Sequence, residues 1–456
     1  MKQLGGWRQV IQGLLSLLGL LLWATGCGST ASPPKVTLSP TTTPVGRIES
    51  IRPNAPSLSR IENTRPPTSP VAQASALQPN QALPSSQSEI LFLRAGNLQA
   101  YGFETATERQ IASAVHEFAP SPDGHELALI RGKEGSREVW LIDRDGQNLR
   151  LLTSNSRAES KLTWAADGLR LAYSSAQVDP PKLPTWESWS RWCGTSEIYL
   201  LNLPSHEEKS LAAGCMPAFS PDGKRLAFTT PPETTGEPGG QVKNKTNAIR
   251  LVNSKGQNGW NLATAGQTEG EDGRLVYAPV WSPDGLQIVY QRFRGYQVLV
   301  DLNLTERRDS VGKTPAKLLG TGLGWMLPPV FAPDGERLGL VAYNDGNARG
   351  VKGYEMWAAE VLKLGEQGSV SLPEGSLEAD AVLQQHLNRV TALAWSPDSK
   401  ALVVALPKGW QPGIPPAATP YEAVTPGELW LWQPAKMPTK RLVEGVDYAS
   451  PLVWLP

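Results

Sequence analysis

Apolar residues fall into three regimes along this chain. Residues 10–23 form an almost unbroken apolar block dominated by Leu. Residues 28–88 carry scattered apolar positions with no period and no aromatic side chain. From Glu89 to the end, short runs alternate apolar and polar residues, the period of half-buried β-strands. In this last region one phrase recurs: an apolar run containing an aromatic, a tight turn, then an alternating strand. The turns are Ser121-Pro122-Asp123-Gly124, Ala166-Asp167-Gly168, Ser220-Pro221-Asp222-Gly223, Ser282-Pro283-Asp284-Gly285, Ala332-Pro333-Asp334-Gly335 and Ser396-Pro397-Asp398-Ser399. Their aspartates lie 44 to 64 residues apart, a period that denotes stacked supersecondary units.

Each copy predicts four antiparallel strands. The run holding Trp164, Phe219, Trp281, Phe331 or Trp395 is the first. Pro then presets φ, and Asp-Gly supplies residues that tolerate a left-handed backbone, as a tight hairpin requires. The second strand follows, as at residues 226–228, and a third at 139–142, 198–201, 249–252 and 428–431. A short fourth closes the unit, as at 151–153. Repeated four-stranded units of this kind make an all-β propeller. The chain ends Leu452-Val453-Trp454-Leu455-Pro456, in the phase of a first strand, and stops where Asp-Gly would follow. The folded region opens at Glu89-Ile90-Leu91-Phe92, in the phase of a second strand. The C-terminal strand is therefore expected to complete the first blade. The pattern predicts seven blades over residues 89–456, with six as the alternative.

The phrase PxWSPDGxxLAF followed by an IYLxN/D strand resembles the TolB-type repeats, relatives of the WD-repeat proteins. The resemblance covers nearly all of residues 89–456 and implies a β-propeller. It implies no single activity, because propellers host many. The chain departs from TolB in having no α/β domain before the propeller, and in carrying a lipid-anchor signature where TolB is a soluble periplasmic protein.

That signature lies at the start. Lys2 and Arg8 precede the apolar block, which is too short to span a bilayer comfortably and reads as the core of a signal peptide. It ends in Ala24-Thr25-Gly26-Cys27, which resembles the lipobox of bacterial lipoproteins. The resemblance implies a signal peptide over residues 1–26 and lipidation of Cys27. Residues 28–88 hold 11 Pro, 11 Ser and 7 Thr, too little apolar surface to offset the entropy of ordering. Residues 27–88 are accordingly expected to be a disordered tether between a membrane and the propeller.

Composition narrows the chemistry. Lys and Arg total 43, as do Asp and Glu, so the net charge is zero; a nucleic-acid partner, which needs a basic excess, is not expected. Three Cys exclude a disulfide-dense scaffold, and four His leave little for a metal site. No Gly-x-Ser-x-Gly elbow, His-Glu-x-x-His, Cys-x-x-Cys or phosphate-loop pattern occurs. No catalytic, cofactor or metal residue is expected, and the repeated aspartates read as turn chemistry.

The strand order places the long insertions. Asp-Gly turns lie on one face; the links between second and third strands, and from each unit to the next, share the opposite face. The insertions at residues 176–195, 231–247, 343–353 and 407–427 therefore crowd that loop-rich face, where ligands are expected. The first contains Trp186, Trp189, Arg191 and Trp192, with the indoles spaced as one side of a helical turn. Trp410 lies in the last and Trp325 in a unit-to-unit link. These six residues are the candidate binding surface, the alternative for the indoles being a satellite core. Cys193 and Cys215 fall on the same face by strand reversal and are expected to form a disulfide at the foot of the Trp-rich loop. The reading is a lipid-anchored, non-enzymatic envelope module that binds a protein, peptide or polysaccharide, facing the periplasm or exterior. The alternative is a hydrolase or lyase with its site at the channel mouth.

Overall fold

The computed structural model describes residues 88–456, apart from 182–185, 233, 236–242, 245–246, 266–274, 294–298, 307–315, 324, 345–355, 373–374, 412–426, 434–435, 439 and 448–449. The expected signal peptide, Cys27 and the expected tether up to residue 87 thus lie outside the described residues, as do parts of the four long insertions.

The described strands form a β-propeller of seven four-stranded antiparallel units. Unit one joins Val453–Leu455 to Glu89–Arg94, Asn97–Gly102 and Thr107–Ala112. Unit two is Val115–Pro120, Glu126–Lys133, Ser136–Asp143 and Arg150–Leu151; unit three is Ala158–Trp164, Arg170–Ala176, Glu197–Asn202 and Glu207–Ala213. A single parallel pair, Arg137 with Ala158, links these two into one sheet. Unit four is Cys215–Phe219, Arg225–Thr229, Ala248–Asn253 and Trp260–Thr264. Unit five is Leu275–Trp281, Gln287–Phe293, Leu299–Glu306 and Lys317–Leu323. Unit six has a broken inner strand, Trp325–Met326 and Val330–Phe331, beside Arg337–Asn344, Met356–Leu372 and Gly375–Asn388. Unit seven is Ala392–Trp395, Leu402–Pro407, Gly427–Trp432 and Lys440–Val446.

The core is divided among the unit interfaces. Six apolar clusters each join side chains of one unit to those of the next, one of them joining unit seven to unit one through Ile90, Phe92, Val403 and Leu429, and a larger cluster runs through units three to six. Each aromatic of the repeated phrase serves such an interface. The indole N–H of Trp164 donates to Ala119 O, that of Trp281 to Ala218 O and that of Trp395 to Val330 O, each at 3.0 Å and each on the preceding unit. This explains why Trp recurs there: its ring fills the gap between units and its polar edge satisfies a carbonyl.

The turn phrase is a closed hydrogen-bond circuit. Ser121, Ser282 and Ser396 donate from Oγ to Asp123, Asp284 and Asp398, and each carboxylate also accepts from the backbone two residues on. These hydrogen bonds, the serine's first, hold the three carboxyls below the usual carboxylate range. The residue that follows is left-handed, glycine in most turns, as Gly223 at φ 65°, and Ser399 at φ 61° in the last. Where Ala replaces Ser, the aspartate turns to an arginine instead: Asp167 to Arg170 and Asp334 to Arg337.

The ring closes through residues far apart in sequence. Glu89, Ile90 and Leu91 pair with Leu455, Trp454 and Val453. Trp454 is half-buried rather than fully buried: it packs on Phe103 with centroids 4.9 Å apart and donates to Ser88 Oγ at 2.7 Å. Glu89, 4% exposed, accepts from Arg109 of its own unit at 2.9 Å and from Arg144 of unit two at 2.8 Å. On the loop face Asp447 accepts from Ala95 N and Gly96 N, and Ser450 Oγ from Leu93 N.

Candidate functional site

On the loop face, residues 186–194 fold as a helix, α1 (Trp186–Gly194), with Trp189 and Trp192 about one turn apart on one side of it. That side faces inward. Trp189 and Trp192 are 2% and 1% exposed, and Trp325 is 6% exposed. Trp189 packs on Tyr277 and Trp325 at centroid distances of 5.5 and 6.2 Å, and Tyr277 stacks on Trp325 at 5.0 Å. Cys193 is bonded to Cys215, their Cα atoms 5.2 Å apart. Helix α1 leaves unit three and lies across the loop-face ends of the inner strands of units four, five and six. The exposed aromatic platform expected from the sequence is therefore corrected: Trp189, Trp192 and Trp325 belong to an apolar cluster, because three inner strands offer apolar partners that water does not. Arg191 is exposed on the helix, and the Trp186 side chain lies outside the described positions. Trp410 is half-buried against Trp430, edge-on at 5.2 Å.

A cavity lies on the opposite, turn face. It measures about 380 Å³ and lies where the inner strands of units three, four and five end. Trp164, Phe219 and Trp281 form its walls, with Ala218 and Val280 between them. The turn residues Pro122, Ala166 and Pro221, and Pro279 of the unit-five strand, complete it. Each of the three strands carries a β-bulge, placing a non-glycine residue at positive φ: Lys161 at 57°, Met216 at 56° and Ala278 at 53°. Such conformations cost of order 1–3 kcal/mol each and persist where the surroundings fix them. Here neighbouring side chains do so. Glu117 accepts from Leu162 N, Thr163 Oγ from Phe219 N and Ser174 Oγ from Met216 N. The lining is poor in free polar groups. Both indole N–H groups are engaged by carbonyls, and Ser220 Oγ is held by Asp222 and Arg225. No titratable side chain lines the cavity.

A second feature, missed in the sequence, is a carboxylate cluster between units two and three on the loop-face side. Glu159 is fully buried and accepts from Asn155 at 2.8 Å and Ser175 at 3.2 Å. Burial, opposed by these hydrogen bonds and reinforced by Glu138 and Glu208, pushes its pKa up to about 7. Tyr173 donates to Glu208, and burial with this partner raises the phenol strongly. An ion pair of buried Arg137 with half-buried Asp179, at 3.0 Å, lies nearby. The available signal was a charge in an inner strand: the positions matching Glu159 in the next two units are Gly214 and Val276. Among the described residues no group of three or more His, Cys, Asp or Glu is placed to hold a metal ion.

Fold and repeat define a β-propeller. No protein-family model matches the chain. It is 28% identical over 165 residues to a TolB homolog of Chlorobium chlorochromatii, a match spanning 27% of this chain and 38% of that protein. Among solved structures it is similar to TolB from Acinetobacter baumannii, with 13% identity, 84% of this chain and 88% of that chain covered, and a TM-score of 0.39. It is also similar to oligogalacturonate lyase from Vibrio parahaemolyticus, with 11% identity, coverages of 71% and 89%, and a TM-score of 0.47.

Proposed function

We propose that this chain is a non-enzymatic binding module of the bacterial cell envelope, tethered to a membrane through lipidated Cys27 and facing the periplasm or exterior. The observation that carries the binding reading is the turn-face cavity. Its walls are aromatic and proline surface with their polar edges already used, so it suits the apolar side chains of an extended protein segment or peptide. A polysaccharide would need hydrogen-bond partners that this lining does not offer. Zero net charge gives no support to nucleic acid as a partner.

Two outcomes test the reading. Ala166→Glu and Pro221→Glu change exposed turn residues at the cavity rim and keep turn-compatible backbones. Each is expected to weaken binding of an apolar, proline-containing peptide about tenfold or more by placing an unpaired charge against it, with the melting temperature unchanged. Titration followed by tryptophan fluorescence checks this, and parental affinity in both variants would count against the cavity. Cys27→Ala is expected to leave unprocessed precursor or to release the protein from membranes. Membrane partition of the cleaved variant would place the anchor elsewhere.

A second reading, a hydrolase or lyase at the channel mouth, is favoured by one observation: a buried carboxyl that titrates near neutrality is a candidate acid or base. Loss of a measured polysaccharide-cleaving or hydrolytic activity in Glu159→Gln, with folding intact, would establish it.

A further inference from the structure

Unit six differs from the others in its outer strands. Met356–Leu372 and Gly375–Asn388 run 17 and 14 residues, whereas their inner neighbour Arg337–Asn344 has 8. That neighbour is exhausted at the pair Arg337 with Lys363, at the turn face. The two longer strands go on pairing past it, from Leu364 with Ala381 to Leu372 with Gly375. The ladder skips Gly365, Glu366 and Gln367, a bulge that depends on glycine at both ends: Gly365 is left-handed at φ 76°, and a Cβ at Gly368 would run into the Ala381 carbonyl oxygen. The chain thus builds a two-stranded ribbon that projects beyond the turn face.

Along residues 368–372 the ribbon has strand on one side only; no other described strand is hydrogen-bonded to its second edge. A lone two-stranded ribbon is marginal in water, and an open edge is a template for another strand. Its charge has one sign. Its described residues between 364 and 382 include Glu366, Glu378 and Asp380 and no Lys, Arg or His. Lys363 pairs with Glu366 and Lys317 with Asp380, while Glu378 is exposed with no ion-pair partner among the described residues. Glu336 is exposed at the foot of the ribbon, where its carbonyl accepts from Leu364 N.

We propose that the open edge at residues 368–372 accepts an added β-strand from a partner protein, and that the incoming segment is extended and basic. Main-chain hydrogen bonds supply the pairing and the acidic side chains select the sign of the partner. The same charge argues against other occupants. A second copy would set its own acids against these, and an anionic lipid surface would be repelled. None of these residues lines the turn-face cavity, so the two surfaces can be tested apart.

The experiment is binding of a labelled octapeptide of alternating Lys and Val to the full chain. It is expected to bind, while an alternating Glu–Val peptide does not. Glu366→Lys combined with Glu378→Lys should weaken binding about tenfold or more. Both residues are exposed, so the double variant should melt with the parent. The Lys–Val peptide N-methylated at alternate residues keeps its charge and loses the ladder, and it should not bind. Equal binding of the methylated peptide would overturn strand addition, whatever the variants do. So would absence of binding by the parent Lys–Val peptide, concentration-dependent self-association through the ribbon, or attachment of the ribbon to anionic vesicles. Binding that emerges only once Arg307, Arg308 and Lys313 are neutralised would make the chain's own residues 307–315 the occupant and overturn it too.

Discussion

Deleting residues 449–456 is expected to unfold the propeller or turn it into an aggregating species. The deletion removes the Val453–Leu455 strand, its three pairs with Glu89, Ile90 and Leu91, and the buried Leu452 and Leu455. It also strips Trp454 from Phe103 and Ser88. Two buried leucines, a half-buried indole and the ladder hydrogen bonds together contribute roughly 5 kcal/mol or more. That is comparable with the whole stability of a typical domain. The loss also leaves Glu89–Arg94 as a bare edge, which invites pairing between molecules. Thermal melting with light scattering reads both effects. A truncated chain that melts cooperatively at the parental temperature as a monomer would show that closure lies elsewhere.

The second large effect is a loss of stability with rising pH. Glu159 titrates near 7 in the fold against 4.5 in the unfolded chain. Its folded pKa is raised, so its contribution is complete below 4.5 and is lost as pH climbs through 7. The gap corresponds to roughly 3 kcal/mol. The turn aspartates act in the opposite sense and in another window: Asp123, Asp284 and Asp398 are held low, so their contribution is lost only as pH falls below the ordinary carboxylate range. Denaturation midpoints at about pH 5 and about pH 8 should therefore fall in the parent and stay level in Glu159→Gln, which remains neutral and keeps its hydrogen bonds. Equal slopes in parent and variant would assign the pH dependence to other groups.

What could be read from the chain was whatever is written locally or as a phase. The Ser-Pro-Asp-Gly circuit spans five residues, and its recurrence gives the units. The unfinished repeat at Leu452–Pro456 and the headless one at Glu89 give the closure, because a repeat cut at the same phase at both ends can only be completed by joining them. What could not be read depends on distant surfaces. The fate of Trp189 rests on Tyr277 and Trp325, which belong to other units and share no local pattern with it. The same aromatics that mark the repeat, Trp164, Phe219 and Trp281, also wall the cavity, so sequence alone gave them one role where they have two. The ribbon of unit six was not among the insertions marked along the chain, since pairing past the end of a neighbouring strand leaves no signal in spacing.

The point where the chain enters the propeller also sets how it bears mechanical load. Glu89–Arg94 begins at the turn face beside the C-terminal strand and is bonded on both flanks, by three pairs to Val453–Leu455 and six to Asn97–Gly102. A pull at Ser88 directed along this strand would act across two ladders at once. All nine pairs are then strained together, instead of being opened one after another as they would be by a sideways pull. Glu89, the first residue to feel the tension, is clamped by guanidinium groups from two different units. Anchoring through Cys27, as proposed above, would load this strand in shear, and it is the strand that also closes the ring.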